Sequence, residues 1–429
     1  MATSHSNPGN QALTRLPASE RSFGWREHAA LWFSLGVGLL VMQTGAYLVP
    51  ATGTRDAALA IVLGTLVGAG LLAWTAKLGA DSGLTSAGLM HRTYGSWFAR
   101  LPVLLNIAQL IGWTTFELVI MRDGTAAIGK QSFGLELGSP LGTAATTLLW
   151  GAVLMLLLSG SMTQLVRKII GRYGLPLVIA SLLWLSWQFG AKLQAHGLSS
   201  FLEHTGDGSM GLLSAMDLVI AMPVSWLPLV ADYARHGKSG RTAFSGTWVG
   251  YAVANVWCYA LGVLVASISA PDADLVATLL LAQGGLIALS LILVDEIDNA
   301  YGDVYSGAVS SHSLLPRLSI RAWGLGLALL CTGLALVLPM RGLEPFLLIL
   351  SSVFVPLYGV ILGRLGLATP TAALAAQADT GTKVDYLAAG IWLLGIALFQ
   401  LLNNLAPQWG ATLPTLLLTG VLALATRRK

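Results

Sequence analysis

The sequence predicts an all-α polytopic membrane protein with about twelve transmembrane helices. Apolar residues make up 55% of the 429 positions and charged residues only 10%, whereas an average soluble domain carries about 25% charge. The apolar residues also fall into runs of about 20, the length that crosses a bilayer. The expected spans lie near 29–50, 57–79, 101–121, 141–160, 172–192, 212–233, 245–269, 275–300, 320–338, 343–363, 384–405 and 411–426.

Basic residues between the spans predict the orientation of the chain. Residues 1–28 are polar and lack the apolar core of a signal peptide, so they are expected to form a tail. If this tail is cytoplasmic, most of the 24 Lys and Arg residues lie in cytoplasmic segments, as the positive-inside rule requires. The domain 29–426 then sits in the plasma (inner) membrane, and an even number of spans leaves the end 427–429 cytoplasmic as well.

Glycine and proline interrupt spans one and six. Span one contains Gly36, Gly38 and Gly45, and span six contains Pro223 and Pro228. Proline removes a backbone donor and clashes with the preceding turn, and broken helices at matching positions of two halves indicate a binding site near the midplane. The two interrupted spans, five helices apart, predict two inverted five-helix repeats, 29–192 and 212–363, followed by two further helices in 384–426. The alternative is that these residues only kink the helices.

The third span carries an amide, an aromatic ring and a carboxylate on one face. Gln109, Trp113 and Glu117 are four residues apart, so their side chains stack along the helix. An indole can stack on a flat ring, and a carboxylate can accept hydrogen bonds from an amino group and a neighbouring ring N–H. The stripe predicts a site for a nitrogen-rich heterocycle. The alternatives are that Trp113 is ordinary packing and that Glu117 pairs with a neighbouring helix.

The eighth span carries acids at membrane depth. Asp295, Glu296 and Asp298 are followed by Asn299 and Asp303, and a charge near the bilayer centre costs roughly 2.5–3.5 kcal/mol on insertion scales. At about 100° per residue, Asp295 and Asp298 share a face with Asn299, while Glu296 lies about a quarter-turn away. The stretch predicts a buried site for a cation or a polar substrate. The alternative is a helix end, with the acids in water.

Several other classes of site are missing from the sequence. The two cysteines, Cys258 and Cys331, lie in apolar segments and offer neither a disulfide framework nor a metal-ligand spacing. Phosphate-binding glycine loops and nucleophile motifs are also missing, so nothing favours an enzyme and no cofactor is expected. A net charge of +4 is too small to indicate nucleic acid.

Four segments carry a resemblance to a known family. They are LWFSLGVGLLVMQTGAYLVP (31–50), LNIAQLIGWTTFEL (105–118), PVSWLPLVADYAR (223–235) and DVYSGAVS (303–310). Over about residues 25–310 the sequence resembles the nucleobase:cation symporter-1 family of purine/cytosine permease type, which includes hydantoin and allantoin carriers. Within this family it is most similar to the hydroxymethylpyrimidine transporters, which supply the pyrimidine half of thiamine.

The resemblance implies a LeuT-like fold, in which the substrate ring lies near the midplane between helices one, three, six and eight. Trp113 matches the family's stacking tryptophan, and Glu117 matches the polar position one turn later. Relatives place an aromatic residue on helix six where this chain has Pro223, so Trp226 is the candidate for the second aromatic contact. Further candidates for hydrogen bonds to the ring are Gln109, Ser225, Asn299 and Gln43.

The resemblance also bears on the coupling ion. Family members that use sodium hold it with carbonyls of broken helix one and hydroxyls of helix eight, but the matching helix-eight positions here are Asp295 and Glu296. This departure puts sodium in doubt and makes proton coupling through Asp295, Glu296 and Asp298 credible, because a desolvated carboxylate can cycle a proton. A sodium ion near Gly38, Val41 and Asp295 is the alternative.

Together these expectations describe a secondary active importer that carries a heterocycle and a cation, Na+ or H+, across the lipid bilayer. The expected substrate is hydroxymethylpyrimidine, with cytosine, a purine, and allantoin or hydantoin as alternatives within the family. A channel and a receptor that does not transport are the alternatives from other classes. A monomer is compatible with the sequence, which does not define the oligomeric state.

Overall fold

Helices make up almost all of the structure. The computed structural model describes residues 11–160, 172–270, 275–338, 342–367 and 382–426, so the predicted end 427–429 and part of the predicted tail lie outside the described residues. One isolated β-bridge joins Phe23 and Gly237. The helices are α1 (Trp25–Ser34), α2 (Leu39–Ala51), α3 (Thr54–Ser82), α4 (Ser86–Tyr94), α5 (Arg100–Phe133), α6 (Pro140–Leu158), α7 (Leu175–His196), α8 (Leu198–Leu202), α9 (Leu212–Ser225), α10 (Leu227–Ala234), α11 (Gly240–Ser267), α12 (Leu275–Leu280), α13 (Gly285–Leu314), α14 (Ile320–Val337), α15 (Leu343–Ile361), α16 (Tyr386–Leu405) and α17 (Thr412–Ala425).

All twelve predicted spans are helical in the structure. Nine segments of the described chain are long and apolar enough to cross a membrane, and the pair α1 and α2, bent by 60°, adds a tenth. The other two predicted spans correspond to α13, which carries the acidic stretch, and to α17, which has 14 residues. The predicted class, an all-α polytopic membrane protein, is confirmed.

The predicted boundaries of span eight are wrong. The sequence places this span at 275–300, but the chain turns at Gly284 in the left-handed region (φ 70°), and α13 runs from Gly285 to Leu314. Glycine adopts this backbone conformation without steric strain, and the short helix α12 precedes it. The acids at 295–298 therefore lie inside a 30-residue helix and are buried. This excludes the alternative that they lie in water at a helix end.

Span three is longer than predicted. The sequence places its end at residue 121, before the charged residues Arg122 and Asp123, but α5 continues to Phe133. The pair is accommodated because the Arg122 guanidinium donates to the Ala335 carbonyl (2.5 Å) and to the neighbouring Asp123 carboxylate (2.6 Å). A charged side chain with these partners does not have to end the helix.

Span one is broken where its glycines predict. α1 ends at Ser34 and α2 begins at Leu39, and the four residues between them are not helical. At Gly36 a Cβ atom would lie 2.9 Å from Cβ of Ala254 in α11, which indicates a close approach of the two backbones. The break therefore lies against α11, within the protein interior.

Span six is interrupted less than predicted. Only Trp226 separates α9 from α10, and together they still form one apolar segment, Leu212–Ala234. Pro228 lies in the first turn of α10, where a missing N–H leaves no helical bond unmade. The sixth span therefore has a local interruption, whereas the first changes direction sharply.

Most of the long helices pack as two groups. The first bundle contains α1, α2, α3, α9, α10 and α11, and the second bundle contains α5, α6, α13 and α14. Within the first bundle, a Cβ on Gly262 would lie 1.9 Å from the Met42 carbonyl oxygen, and one on Gly68 would lie 2.3 Å from Cγ of Pro223. Such close backbone packing holds the helices of the first bundle together as a unit.

Residues 11–24, the N-terminal strap, cover the end of the bundles at which α1 begins. Nη1 of Arg21 donates to the Ala80 carbonyl (2.6 Å), and the Phe23 N–H donates to the His236 carbonyl (2.8 Å). Burial, reinforced by the neighbouring Arg235 charge, lowers the pKa of the His236 imidazole to about 4. The ring is therefore neutral near neutral pH, and this closed end has no titrating charge at that position.

Replacing Gly262 by alanine should destabilise the protein, because the added methyl group would meet the Met42 carbonyl and push α11 away from α2. Overpacking of this kind costs about 1–3 kcal/mol. The measurement is the thermal unfolding midpoint of the purified protein in detergent. Gly333→Ala in α14 is the matched control, since a Cβ there meets nothing within 4 Å. Equal midpoints for the two variants would contradict the close contact.

Candidate functional site

A narrow cleft lies between the two bundles, beside the break in span one. The space between its walls is about 360 Å³, but only about 10 Å³ of it is wide enough for the centre of a water molecule. A flat ring can therefore enter only if the walls move apart. The polar and aromatic residues of the cleft are Trp113, Glu117, Ser225, Trp226, Glu296, Asn299 and Asp303.

Side chains of α13 satisfy the backbone at the break in span one. The Leu39 N–H, at the start of α2, donates to Oε1 of Glu296, and Nδ2 of Asn299 donates to the Val37 carbonyl (3.3 Å). Asn299 also donates to Oε2 of Glu296 (3.1 Å). A Cβ on Gly38 would lie 3.2 Å from Oε1 of Glu296, so glycine permits this close approach. A carboxylate at a helix N-terminus is also stabilised by the helix dipole.

Two carboxyl groups meet in the cleft. The carboxyl groups of Glu117 of α5 and Glu296 of α13 face each other, and Oε2 of Glu117 is buried without a hydrogen-bond donor. A carboxylate has no donor, so two carboxyl groups can form a hydrogen bond only when one of them carries a proton. The pair can therefore hold a proton inside the cleft.

Two tryptophans border the same cleft. Trp113 contacts Phe346 with ring centroids 5.2 Å apart at an interplanar angle of 70°, and Trp226 contacts Trp32 at 5.9 Å and 84°. These edge-to-face contacts restrain both indoles. Nε1 of Trp113 is buried without a hydrogen-bond partner. The structure thus brings both predicted aromatic residues to one place.

Asp295 and Asp298 contact the end of α1 and do not line the cleft. Oγ of Ser34 lies 3.0 Å from Oδ1 of Asp295 and 3.2 Å from Oδ2 of Asp298. Asn299 is predicted to share a helix face with these two acids, but its amide contacts Glu296 and the break in span one. α13 therefore presents two polar stripes, one to the cleft and one to Ser34.

Among the described residues, none of the acids at 295–303 forms an ion pair with Lys or Arg. Nor do three or more His, Cys, Asp or Glu side chains converge there as a metal site. Of the residues predicted to hold sodium, Gly38 and Val41 line the cleft and Asp295 does not. Gly38 and Val41 have no polar side chain, so these two residues could offer sodium only their backbone carbonyls.

Gln109 supports span six and does not line the cleft. Its Nε2 donates to the Ser225 carbonyl (3.0 Å) and to Oδ1 of Asn106 (2.9 Å), and Nδ2 of Asn106 donates to the Pro228 carbonyl (3.0 Å). The amides of α5 thus satisfy carbonyls at the interruption of span six, as α13 does at the break in span one.

A wide vestibule opens at the end of the bundles where α2 ends. Its volume is about 1180 Å³, and Gln43, Tyr47 and Glu344 are among its lining residues. The predicted substrate ligand Gln43 therefore lies in the vestibule and not in the cleft. Leu40 and Val41 line the cleft a few residues earlier, so α2 leads from the vestibule to the cleft.

The opposite end is closed by hydrogen bonds around Asp232. Its carboxylate accepts from the Ser86 N–H (2.9 Å) and from the hydroxyl of Ser306, and the Tyr233 hydroxyl donates to the Gly302 carbonyl (3.2 Å). These bonds join α10 of the first bundle to α4 and to α13 of the second bundle. Together with the N-terminal strap they separate the cleft from this end.

Asp303 is a cleft residue that the sequence-based site prediction does not include. It is 2% exposed, lines the cleft and forms no hydrogen bond through its carboxylate among the described residues. Glu296, Asn299 and Asp303 follow the i, i+3, i+7 spacing of one helical stripe. That spacing is visible in the sequence and could have identified Asp303.

Two bundles around a cleft, beside a broken helix, define a transporter-like membrane fold with solved counterparts. The nucleobase-cation-symport-1 family transporter Mhp1, closed with bromovinylhydantoin bound, matches with a TM-score of 0.80 and 15% identity over 98% of this chain and 94% of that one. Inward-facing Mhp1 gives 0.76, with 16% identity over 99% and 93%. MhsT in complex with L-phenylalanine gives 0.59, with 14% identity over 92% and 98%. The predicted LeuT-like fold is confirmed.

A family profile identifies the chain more closely. The family described as permeases for cytosine/purines, uracil, thiamine and allantoin matches residues 15–415. The chain belongs to this family of nucleobase-type permeases, and it is a transporter and not an enzyme. A search of curated proteins found no match.

Replacing Gln109 by methionine should lower the free energy of unfolding by about 1–3 kcal/mol, because the Ser225 carbonyl and Asn106 would stay buried without this donor. The thermal unfolding midpoint of the purified protein reports the change. Gln131→Met, at an exposed position of the same helix α5, is the control. If both variants unfold at the same temperature, the amide does not support span six.

Proposed function

We propose that this permease imports an aminopyrimidine together with a proton, with hydroxymethylpyrimidine as the first candidate substrate. The observation that carries the proposal is the pair of carboxyl groups, Glu117 and Glu296, beside Trp113 and Trp226 in one enclosed cleft. The pair supplies a place for the proton, and the indoles supply surfaces for a flat ring. Both occupants would be bound between the two bundles.

The chemistry of the cleft supports a ring with several N–H donors. The Glu117 carboxyl group can accept hydrogen bonds from an exocyclic amino group and from a neighbouring ring nitrogen that carries a proton. Asn299 and Ser225 are further polar groups at the cleft. Cytosine presents a similar amino edge and is the second candidate, in keeping with the range of the family.

The arrangement of the two ends supports alternating access. With the N-terminal strap on the cytoplasmic side, as the positive-inside rule predicts, the vestibule faces outward and the Asp232 contacts close the inner end. The bundles meet through hydrogen bonds, whereas glycine contacts hold the first bundle together. Rocking of one bundle against the other would exchange the open end without unpacking either.

Glu117→Gln should reduce uptake of radiolabelled hydroxymethylpyrimidine by about tenfold or more at sub-saturating concentration. Glutamine keeps the size of the side chain but cannot share a proton with Glu296 or present two acceptor oxygens. Uptake into cells and the amount of protein in the membrane are measured together. Glu136→Gln is the control, because Glu136 is exposed and belongs to a weak surface pair with Lys130. Unchanged uptake would remove Glu117 from the site.

Glu296→Gln should separate binding from coupling. The amide oxygen of glutamine can still accept from the Leu39 N–H, but the side chain no longer shares a proton with Glu117. In proteoliposomes, the native protein should concentrate substrate when an inward proton gradient is imposed without sodium. The variant should bind substrate and fail to concentrate it. Uptake that follows a sodium gradient at equal pH would establish sodium coupling instead, and flux that never concentrates substrate would indicate a channel.

The substrate is best identified by a binding panel on the purified protein. A ligand that binds only the folded state raises the unfolding temperature, so hydroxymethylpyrimidine, cytosine, uracil, adenine and allantoin can be ranked with and without sodium. The proposal expects hydroxymethylpyrimidine or cytosine to give the largest shift, with no requirement for sodium. A larger shift by allantoin or adenine would overturn the substrate assignment.

A further inference from the structure

The cleft contains one more acid than the proposed function requires. Three carboxyl groups line it, those of Glu117, Glu296 and Asp303, and no Lys, Arg or His is among its described lining residues. One shared proton satisfies the Glu117–Glu296 pair as a hydrogen bond and leaves it with a single negative charge. Asp303 remains as a separate carboxyl group.

Asp303 has no partner within the described part of the chain that could balance a charge. It is 2% exposed, and it forms neither an ion pair nor a side-chain hydrogen bond among the described residues. An isolated buried carboxylate is costly unless a cation or hydrogen-bond donors meet it. The side chain borders the open space of the cleft, so a bound ligand is the partner that can reach it.

The route to the cleft is also acidic. The vestibule is lined by the carboxyl groups of Asp207, Asp217 and Glu344 and by the imidazoles of His196 and His204, and no Lys or Arg is among its described lining residues. Asp217 is committed to the backbone N–H groups of Ala411 (2.5 Å) and Thr412 (3.0 Å). A concave surface on which carboxylates outnumber cationic side chains raises the local concentration of positively charged ligands.

We propose that the cleft prefers heterocycles that carry a positive charge, and that Asp303 sets this preference. The inference rests on the proposed transport of a heterocycle through the same cleft, and it narrows the substrate class to ring-protonated or N-alkylated amino-heterocycles. A cationic ring pairs with Asp303 and leaves no buried charge alone. The two indoles favour the same class, since a cation over an aromatic face is attracted by the ring quadrupole.

Two ligands of nearly equal size test the preference on the native protein. 4-Amino-1-methylpyrimidinium is a permanent cation, and 4-amino-2-methylpyrimidine has the same substituents but is neutral at alkaline pH. Dissociation constants are measured by calorimetry on purified protein at alkaline pH, and the cation should bind about tenfold more tightly or better. Equal affinities, or tighter binding of the neutral ring, would overturn the inference while leaving the proposed transport of pyrimidines intact. If neither ligand nor any pyrimidine of the panel binds, the proposed function itself fails.

Variants at position 303 assign the preference to this residue. Asp303→Asn should weaken binding of the cationic ligand, so that the two affinities lie within about twofold of each other. Asp303→Glu should still bind the cationic ligand more tightly than the neutral one. Glu203→Gln removes one charge from an exposed position outside the cleft and should leave the ratio unchanged. An unchanged ratio in folded Asp303→Asn would overturn the role of Asp303. If Asp303→Asn does not fold, the Asp303→Glu variant decides. Equal affinities for the cationic and the neutral ligand in that variant would overturn the role of Asp303, and tighter binding of the cation would support it.

Discussion

A helix that breaks inside a bilayer must have its free backbone groups satisfied by protein, since hydrocarbon offers them no partner. At the break in span one, Glu296 and Asn299 provide this by bonding to the Leu39 N–H and the Val37 carbonyl. The acid at this depth is therefore part of the structure of the break. The same Glu296 also faces Glu117, so one side chain both supports the break and takes part in the cleft.

The interruption of span six follows the same requirement with neutral groups. Gln109 and Asn106 donate to the carbonyls of Ser225 and Pro228, so both irregular spans of the first bundle are supported by side chains of the second. Every one of these contacts crosses the boundary between the bundles. A relative movement of the bundles therefore acts on both irregular spans at once, whereas the close packing of Gly262 within the first bundle is unaffected.

The sequence predicts the helices and the depth of the polar residues because both follow from apolar runs and their interruptions. It also places Gln109, Trp113 and Glu117 on one face, but it cannot tell which turn of that face meets the cleft. Each helical turn advances about 5.4 Å, so Gln109 lies at the level of the Ser225 carbonyl while Glu117 reaches Glu296. The sequence likewise cannot tell which residues of α2 meet the cleft. Gln43 lies beyond the cleft residues Leu40 and Val41 and lines the vestibule.

Coupling in the proposed transporter has a simple electrostatic origin. A proton on the Glu117–Glu296 pair completes one buried hydrogen bond, and a donor-rich or cationic ring provides the partner that the carboxylate of Asp303 lacks. With only one occupant, an oxygen that accepts strongly stays buried without a donor, which is unfavourable. The closed cleft is therefore most stable with both occupants present, and a ligand shifts an equilibrium only by its differential affinity for the two states. Joint binding of ring and proton would in this way favour the closed arrangement from which the inner end opens.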